Sequence, residues 1–520
     1  MKRKLALLLS MTIAASLLAG CGSTNANSEK SDSLQVSGNA VSDAVSDDGT
    51  ETVSSNVEDW PVVSFPFVPV YDTPDADQVE KALNDYLVSI NAGVQADMVR
   101  IDFGSLSTTL TLMLSSKDDP IDLFSYQFFS DLSNVVQNEQ AIPLDSYIAE
   151  YPGIVDAIGE NYMILGKYQG IQYAAPVVGS HGTASYYALK RDIAEKIGVA
   201  DKDGSKITLE ELDNIISEAK TSCPDYIYMP MTLDLITVQG YDTLADSDAI
   251  GVLEGWGLDN TKIIDYYNSD DFTTLCKYAK KWADSGIFVS DPLNQAHDKS
   301  YMANGTAGGT LTNGNNINEA RNDMLNNYNS DVVLFELTDL IATDSLSSGT
   351  GWCISSVSPH PEAAAKLLNL MYTDENVMRY IAMGIEGQHY VVGDDGIARF
   401  PEGKTASDVG WATGAGWYFP NQTLLIPFET NNKNYYSDVV DANNRALKSK
   451  AMGFIFDNTP VHDQYIAVDA VIKQYRDALI YGQVDVDSYL KEFRDALQEA
   501  GIDEIITEKQ KQLDVFLDEN

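Results

Sequence analysis

Short apolar segments alternate with segments of helical spacing along the first part of the chain. Residues 62–71, 98–103 and 121–124 are rich in Val, Ile, Leu and Phe, a composition that predicts β-strands. Between them, residues 75–90 and 106–114 place apolar side chains three and four positions apart, which predicts α-helices. Because strands joined by helical crossovers run in the same direction, this order predicts an α/β fold with a parallel sheet.

A second α/β body is predicted to begin near residue 177. Residues 185–189 are predicted to form a strand, and residues 191–198 a short helix that ends at a glycine. A capping box follows, in which Thr208 and Glu211 can satisfy free amides at the start of a helix. The second body therefore repeats the mixed strand and helix pattern of the first.

Residues 384–520 are predicted to form a mainly helical C-terminal extension. Helical spacing extends from residue 466 to 479, and two apolar stripes follow within residues 490–497 and 505–516. An apolar stripe on a helix is normally buried against a neighbouring element. We therefore expect the extension to pack on the second lobe and the hinge.

The N-terminus contains the successive parts of an export signal. Three basic residues precede the apolar run 5–18, which is too short to cross a bilayer comfortably. The run ends in Leu-Ala-Gly-Cys21, which resembles the lipobox of bacterial lipoproteins, where the chain is cut before the cysteine and its thiol is lipidated. Residues 1–20 are therefore predicted to be a signal peptide. Residues 22–58 contain nine serines and no aromatic residue. Residues 21–58 are therefore predicted to be the lipidated cysteine followed by a disordered tether.

The charge balance narrows the range of partners. The chain has 77 acidic and 34 basic residues, a formal net charge of -43. Nucleic-acid binding requires a basic surface, so nucleic acid is excluded as a partner. Docking on an anionic membrane surface is disfavoured for the same reason. The membrane is therefore expected to be reached only through the lipid anchor.

Motifs of catalytic and metal sites are absent from the sequence. The five histidines have no HExxH spacing, and the chain has neither a GxSxG elbow nor a P-loop. Cys223, Cys276 and Cys353 are far apart and lack CxxC spacing. We therefore predict no catalytic residue, no metal and no cofactor, although the many carboxylates leave a pair for glycoside hydrolysis as an open alternative.

Aromatic side chains provide the positive indication of function. The chain has 28 Tyr, 16 Phe and 6 Trp, and a tyrosine offers both an apolar face and a hydroxyl to a sugar. Ligands of open α/β sheets bind beyond the carboxyl ends of the strands, and aromatic loops frequently bind ligands. The residues predicted on these grounds to contact a ligand are Ser125, Tyr126, Gln127, Trp352, Glu386, His389, Tyr390, Trp411 and Trp417.

Several segments, in their order, resemble one family. They are residues 119–124 (DPIDLF), 141–148 (AIPLDSYI), 166–176 (GKYQGIQYAAP) and 356–364 (SVSPHPEAA). Together with the lipobox and the two α/β bodies, they resemble an extracellular solute-binding lipoprotein of an ABC importer. Residues 453–457 (GFIFD) resemble part of a domain appended in one subgroup of that family.

The resemblance implies two lobes that close on a solute bound in the cleft between them. Lobe 1 would span residues 59–176 and about 345–383, lobe 2 residues 177–344, and the extension residues 384–520. Sugar binders often have an aromatic residue in the loop equivalent to 310–316, whereas this chain has asparagines there. This loop adds Asn313, Asn315 and Asn316 to the predicted ligand contacts.

The expected function is therefore capture of a small solute, an oligosaccharide by preference, and its delivery to the transmembrane subunits of an ABC permease. The protein would be held by lipid at the outer face of a bacterial cell membrane and would not be an enzyme. Two alternatives remain at this point. One is a secreted carbohydrate-active hydrolase, and the other is a ligand-sensing partner of a membrane receptor kinase.

Overall fold

The computed structural model describes residues 57–520 except Phe128 and residues 231–234, 296–297 and 345–349. The predicted signal peptide, Cys21 and nearly all of the tether lie outside the described residues. The strands are β1 (Val62–Phe67), β2 (Gln95–Arg100), β3 (Leu123–Ser125), β4 (Lys167–Tyr168), β5 (Ile171–Gln172), β6 (Ala175–Pro176), β7 (Ala184–Lys190), β8 (Tyr241–Asp242), β9 (Val252–Glu254), β10 (Ile263–Ile264), β11 (Gly309–Gly314), β12 (Val332–Glu336), β13 (Ile341–Ala342), β14 (Gly351–Ile354), β15 (Val391–Val392), β16 (Ala398–Arg399) and β17 (Leu447–Lys448).

The α-helices alternate with these strands in the first two thirds of the chain and predominate at its end. They are α1 (Ala76–Ser89), α2 (Leu106–Met113), α3 (Leu132–Gln137), α4 (Asp145–Glu150), α5 (Gly153–Ile158), α6 (Glu160–Met163), α7 (Arg191–Lys196), α8 (Leu209–Ser222), α9 (Leu235–Val238), α10 (Asp270–Asp284), α11 (Ser300–Ala303), α12 (Ile317–Asn326), α13 (Pro361–Thr373), α14 (Glu375–Met383), α15 (Tyr435–Arg445), α16 (His462–Ile480), α17 (Val486–Ala500) and α18 (Ile502–Glu519). Within the described part of the chain, no helix has both the length and the apolar character needed to cross a membrane.

The first strands form the parallel pair that the sequence predicts, with one difference further along. β1 and β2 are parallel and are joined by α1. β3 lies beside β1 through the bond from Asp122 N to Ser64 O, 3.2 Å, but its ladder partner is the antiparallel strand β14. The parallel pairing is therefore confirmed for β1 and β2, while β14, which returns from the second body, adds an antiparallel strand beside β3.

The second body is organised around β7. β11 and β12 flank β7, both antiparallel to it. Side chains alternate across the sheet, so that Tyr187 packs into one hydrophobic core and Tyr186 into a smaller one on the other face. The predicted capping box is confirmed at the start of α8, where Glu211 N donates to Thr208 Oγ1 at 3.2 Å and Thr208 N donates to Glu211 Oε2 at 2.8 Å.

Two large hydrophobic cores define the two lobes. The first lobe is built around β1–β3, β14, α1, α2, α13 and α14, and the second around β7, β12, α7, α8 and α10. The C-terminal residues are divided between them. Tyr390, Trp411 and Tyr418 are buried in the first core, whereas α16, α17 and the first turn of α18 bury apolar side chains in the second. The later part of α18 buries Leu513 in a smaller separate cluster. The chain therefore passes between the two cores more than once.

Candidate functional site

A cavity of about 380 Å³ lies between the two lobes and is the candidate binding site. This size falls within the range of small-molecule sites. The first lobe contributes the segment after β3, and the second lobe contributes the loop after β8. Leu165, Asp344 and the chain beyond β17 form the rest of the wall. The lining residues are Tyr126, Ser130, Asp131, Leu132, Ser133, Leu165, Leu244, Ala245, Asp246, Asp344, Gly453, Phe454, Ile455, Phe456, Asn458, Tyr465 and Lys509.

Tyr126 brings a neutral phenol to the cavity from the end of β3. The residue is 3% exposed and packs in the first core. Burial raises the pKa of its hydroxyl well above the usual value, and the neighbouring Cys353, Asp344 and Asp131 raise it further. The hydroxyl therefore stays protonated over the physiological pH range, and it can both donate and accept hydrogen bonds.

Asp344 carries a carboxyl group with unused hydrogen-bonding capacity at the cavity. Its Oδ1 accepts a bond of 2.7 Å from Gly453 N, while its Oδ2 is buried and has no partner among the described residues. Burial, followed by the nearby charge of Asp242, raises the pKa of Asp344 well above its ordinary value. A protonated carboxyl here can donate a hydrogen bond, and a buried polar atom without a partner is costly unless a ligand or solvent satisfies it.

Lys509 fixes the loop that the second lobe contributes. Its side chain is 1% exposed, and Nζ donates to Ile250 O at 2.8 Å and to Gly251 O at 3.0 Å. Asp246 Oδ2 lies 3.7 Å from the same nitrogen. Burial lowers the pKa of Lys509, and the charges of Asp246 and Asp242 oppose that shift. The lysine thus ties α18 to the loop that follows β8.

The same loop has an uncommon backbone. Leu244, Ala245 and Ala249 have φ angles of 57°, 60° and 53°, in the left-handed region that residues with a side chain rarely adopt. Asp242 Oδ1 accepts from Leu244 N at 2.9 Å, and Asp246 Oδ1 accepts from Asp248 N at 2.9 Å. Strained backbone persists only where its surroundings hold it and is common at binding sites. Two of the three strained residues, Leu244 and Ala245, line the cavity.

An aromatic pair forms part of the wall that the chain beyond β17 contributes. The rings of Phe456 and Tyr465 lie 6.4 Å apart between centroids with an interplanar angle of 43°. Both side chains are only partly buried. Tyr465 Oη lies 3.4 Å from Asp246 Oδ2, and Lys509 Nζ lies 5.6 Å from the centre of the Phe456 ring. The cavity thus combines aromatic faces with polar atoms, the composition that suits a ligand with apolar faces and hydroxyl groups.

Tyr126 is a predicted ligand-binding residue of the first lobe that lines this cavity, whereas the other predicted residues of that lobe do not line it. Ser125 is fully buried in β3, and Gln127 is half-buried beside it with a buried Oε1 that has no partner among the described residues. Trp352 is fully buried, and its Nε1 donates to Tyr418 O at 3.0 Å. Trp411 is 1% exposed and packs 5.0 Å from Phe67 between ring centres. Both tryptophans belong to the first core.

The predicted group in residues 386–390 forms a turn. Glu386 is exposed and Tyr390 is buried. His389 Nδ1 accepts from Ile385 N at 2.9 Å, and its Nε2 lies 3.2 Å from Asp75 Oδ2. Burial lowers the pKa of His389, although Asp75 opposes that shift. The side chain therefore connects the turn to the start of α1 and does not line the cavity. Trp417 is 43% exposed and also lies outside the residues that line it.

The predicted asparagines lie at another place. Asn313 lines a polar cavity of about 260 Å³ between α12 and residues 430–435. Asn316 caps α12 through bonds to Asn318 N and Glu319 N, and Asn315 is buried beside it. These two side chains thus organise the start of a helix.

Sequence reasoning missed Asp344, Phe456, Tyr465 and Lys509 as residues of the cavity. The sequence marks residues 453–457 only as a family segment, although two phenylalanines between glycine and aspartate are compatible with a binding loop. Nothing in the pattern of α18 distinguishes the buried Lys509 from the exposed Lys511. Among the residues that the structure describes, no cluster of three or more His, Cys, Asp or Glu side chains could hold a metal ion.

Comparison with protein families decides the class of the protein. Residues 71–378 match the family described as bacterial extracellular solute-binding protein. The chain belongs to this family. Residues 450–518 of the solute-binding protein also match a separate domain of unknown function, DUF3502. This second match includes every cavity-lining residue that lies beyond β17.

Several known proteins resemble this solute-binding protein over most of its length. A carbohydrate ABC transporter substrate-binding protein from Streptococcus pneumoniae serotype 4 is 22% identical over 481 residues, which cover 90% of this chain and 94% of the relative. The crystal structure of the N-glycan transport solute binding protein (NgtS) from Streptococcus pneumoniae superposes with a TM-score of 0.73 at 19% identity, covering 88% of this chain and 99% of that chain.

An HMO binding, ABC-transporter associated solute binding protein from Bifidobacterium longum infantis gives a TM-score of 0.60 at 16% identity, covering 88% of this chain and 99% of that chain. These likenesses establish the fold. The predicted two-lobed α/β architecture with an additional helical C-terminal region is therefore confirmed, as is membership of an extracellular solute-binding family.

Proposed function

We propose that this protein captures a neutral oligosaccharide in the cavity between its lobes and delivers it to the transmembrane subunits of an ABC permease. The observation that carries the proposal is a cavity walled by both lobes, with aromatic faces and polar atoms side by side. A ligand held in such a cavity contacts both lobes at once, so its binding favours their closure.

The relatives favour a glycan as the solute. The related protein NgtS has been crystallised in complex with Man1GlcNAc and with Man5GlcNAc. Tyr126 offers a neutral hydroxyl, and Asp344 offers a carboxyl oxygen that no described protein group engages. Such groups suit sugar hydroxyls, which both donate and accept hydrogen bonds. The net charge of -43 also disfavours an anionic solute.

The location of the protein follows from its N-terminus. We infer that the chain is cut before Cys21, that Cys21 is lipidated, and that residues 22–58 tether the lobes to the outer face of the cell membrane. The division into lobe 1 (59–176 with about 345–383), lobe 2 (177–344) and an extension (384–520) belongs to the same proposal. In this arrangement the cavity is held within reach of a permease in the same membrane.

A thermal-shift screen tests the proposed function. The purified protein is heated with monosaccharides, mannose- and N-acetylglucosamine-containing oligosaccharides, amino acids and short peptides. At a ligand concentration about 1,000 times Kd, a bound oligosaccharide should stabilise the folded state by about 4 kcal/mol. Chromatography of the same glycan after incubation should recover it intact. Stabilisation by peptides alone, or release of shorter sugars, would contradict the proposal.

A further inference from the structure

The C-terminal region, defined here as residues 450–518, supplies a whole side of the cavity. It matches a domain to which no function is assigned. Its contribution comes from three segments, which are the stretch around Phe456, the first turn of α16 and the helix α18. The lining residues from this region are Gly453, Phe454, Ile455, Phe456, Asn458, Tyr465 and Lys509.

Within this region, the aromatic pair is placed to meet a ligand. Phe456 and Tyr465 both line the cavity and are only partly buried. Both side chains also pack against the second core, so part of each ring is held by the protein while the residue still lines the cavity. Partly exposed rings beside a cavity are suited to the apolar C–H face of a sugar ring.

The region also determines which polar groups face the cavity. Gly453 N holds one carboxyl oxygen of Asp344 and leaves the other without a partner among the described residues. Lys509 holds the loop that carries Leu244 and Ala245 at the cavity. The C-terminal region therefore both lines the cavity and positions residues that the lobes contribute to it.

We propose that the C-terminal region is a recognition wall of the solute cavity, in which Phe456 and Tyr465 receive one pyranose ring of the oligosaccharide. This inference rests on the proposed function and assigns a binding role to residues 450–518. It predicts that affinity for glycans depends on side chains outside the segment that defines the family, which spans residues 71–378.

Alanine variants of the two aromatic residues test the wall. The dissociation constant for the tightest oligosaccharide of the screen is measured by calorimetry on the full chain, and the melting temperature is measured on the same samples. Phe456→Ala and Tyr465→Ala should each weaken binding about 5- to 150-fold, as expected when an aromatic contact of ordinary size is lost. Tyr465→Phe keeps the ring and should bind within about three-fold of the wild type.

Tyr475→Ala is the matched control. Tyr475 lies on the same helix as Tyr465 and packs on Tyr489 and Phe493, with ring centres 5.0 and 5.6 Å away, but it does not line the cavity. This variant should melt at a lower temperature and bind normally. If wild type binds the glycan and both Phe456→Ala and Tyr465→Ala bind it as well as Tyr475→Ala does, the wall is disproved while the proposed function stands. A wild type that binds no oligosaccharide overturns both.

Discussion

The contribution of Lys509 to holding α18 on the second lobe can be measured with a single substitution. Lys509→Met keeps the length of the side chain but removes the ammonium group that donates to Ile250 O and Gly251 O. Asp246, 10% exposed at its side chain, also loses its nearest cation. Removing one partner of a buried ionic group costs about 3–5 kcal/mol, because the remaining groups stay buried without compensation.

The expected loss is about 3 kcal/mol, the lower end of that range, because the wild type already bears the cost of burying the ammonium group. That cost is evident from the lowered pKa of Lys509. Urea unfolding followed by tryptophan fluorescence reports the change. With a slope of about 3 kcal/mol/M, the midpoint of Lys509→Met should fall by about 1 M.

Lys511→Met provides the control for this measurement. Lys511 lies two positions away on α18, is 71% exposed at its side chain and pairs only with Glu508, at 3.0 Å, among the described residues. Exposed ion pairs contribute about 0–1 kcal/mol, so its midpoint should stay near that of the wild type. Equal midpoints for Lys509→Met and Lys511→Met would refute the attachment inferred from the structure.

Three further predictions concern other parts of the chain. Burial raises the folded-state pKa of Asp344 above its unfolded value. Between these two pKa values the folded protein keeps a proton that the unfolded chain releases, so the stability of the wild type falls as the pH rises. The side chain introduced by Asp344→Asn does not titrate, so the stability of the variant relative to the wild type should increase between pH 4.5 and 8, as measured by urea unfolding. A stability difference between the two proteins that stays constant over this pH range would count against a raised pKa of Asp344. Trp352→Ala should lose about 3–5 kcal/mol of stability because Trp352 is fully buried, while Trp417→Ala, at a position 43% exposed, should change the urea midpoint little. A larger loss for Trp417→Ala than for Trp352→Ala would contradict the placement of Trp352 in the first core. Cys21→Ala should move the protein from the detergent phase to the aqueous phase in a partitioning assay, since the thiol is the expected lipid site, and unchanged partitioning would exclude it.

Local sequence pattern predicted the local structure well. The segment β1–α1–β2 and the capping box at Thr208 follow from spacing and side-chain chemistry that residues near in sequence provide. The partner of β3 could not be predicted in the same way, because β14 follows it only after the chain has passed through the second lobe. Strand pairing at that separation depends on the tertiary fold.

The candidate site was harder to predict for a related reason. Tyr126 was found because it ends a strand, a position that α/β folds use for binding. Trp352 ends in the first core because aromatic character alone does not indicate which face of a strand is covered. Asp344 and Lys509 become notable only through burial, which brings each beside groups far away in sequence.

Hydrogen–deuterium exchange with and without the bound oligosaccharide tests the location of the site most directly. Closure on a ligand in the cavity between the lobes should slow exchange in three segments together, residues 126–133 of the first lobe, 244–246 of the second lobe and 453–465 of the C-terminal region. Protection confined to residues 313–327 and 430–435 would place the ligand in the other polar cavity and contradict the account.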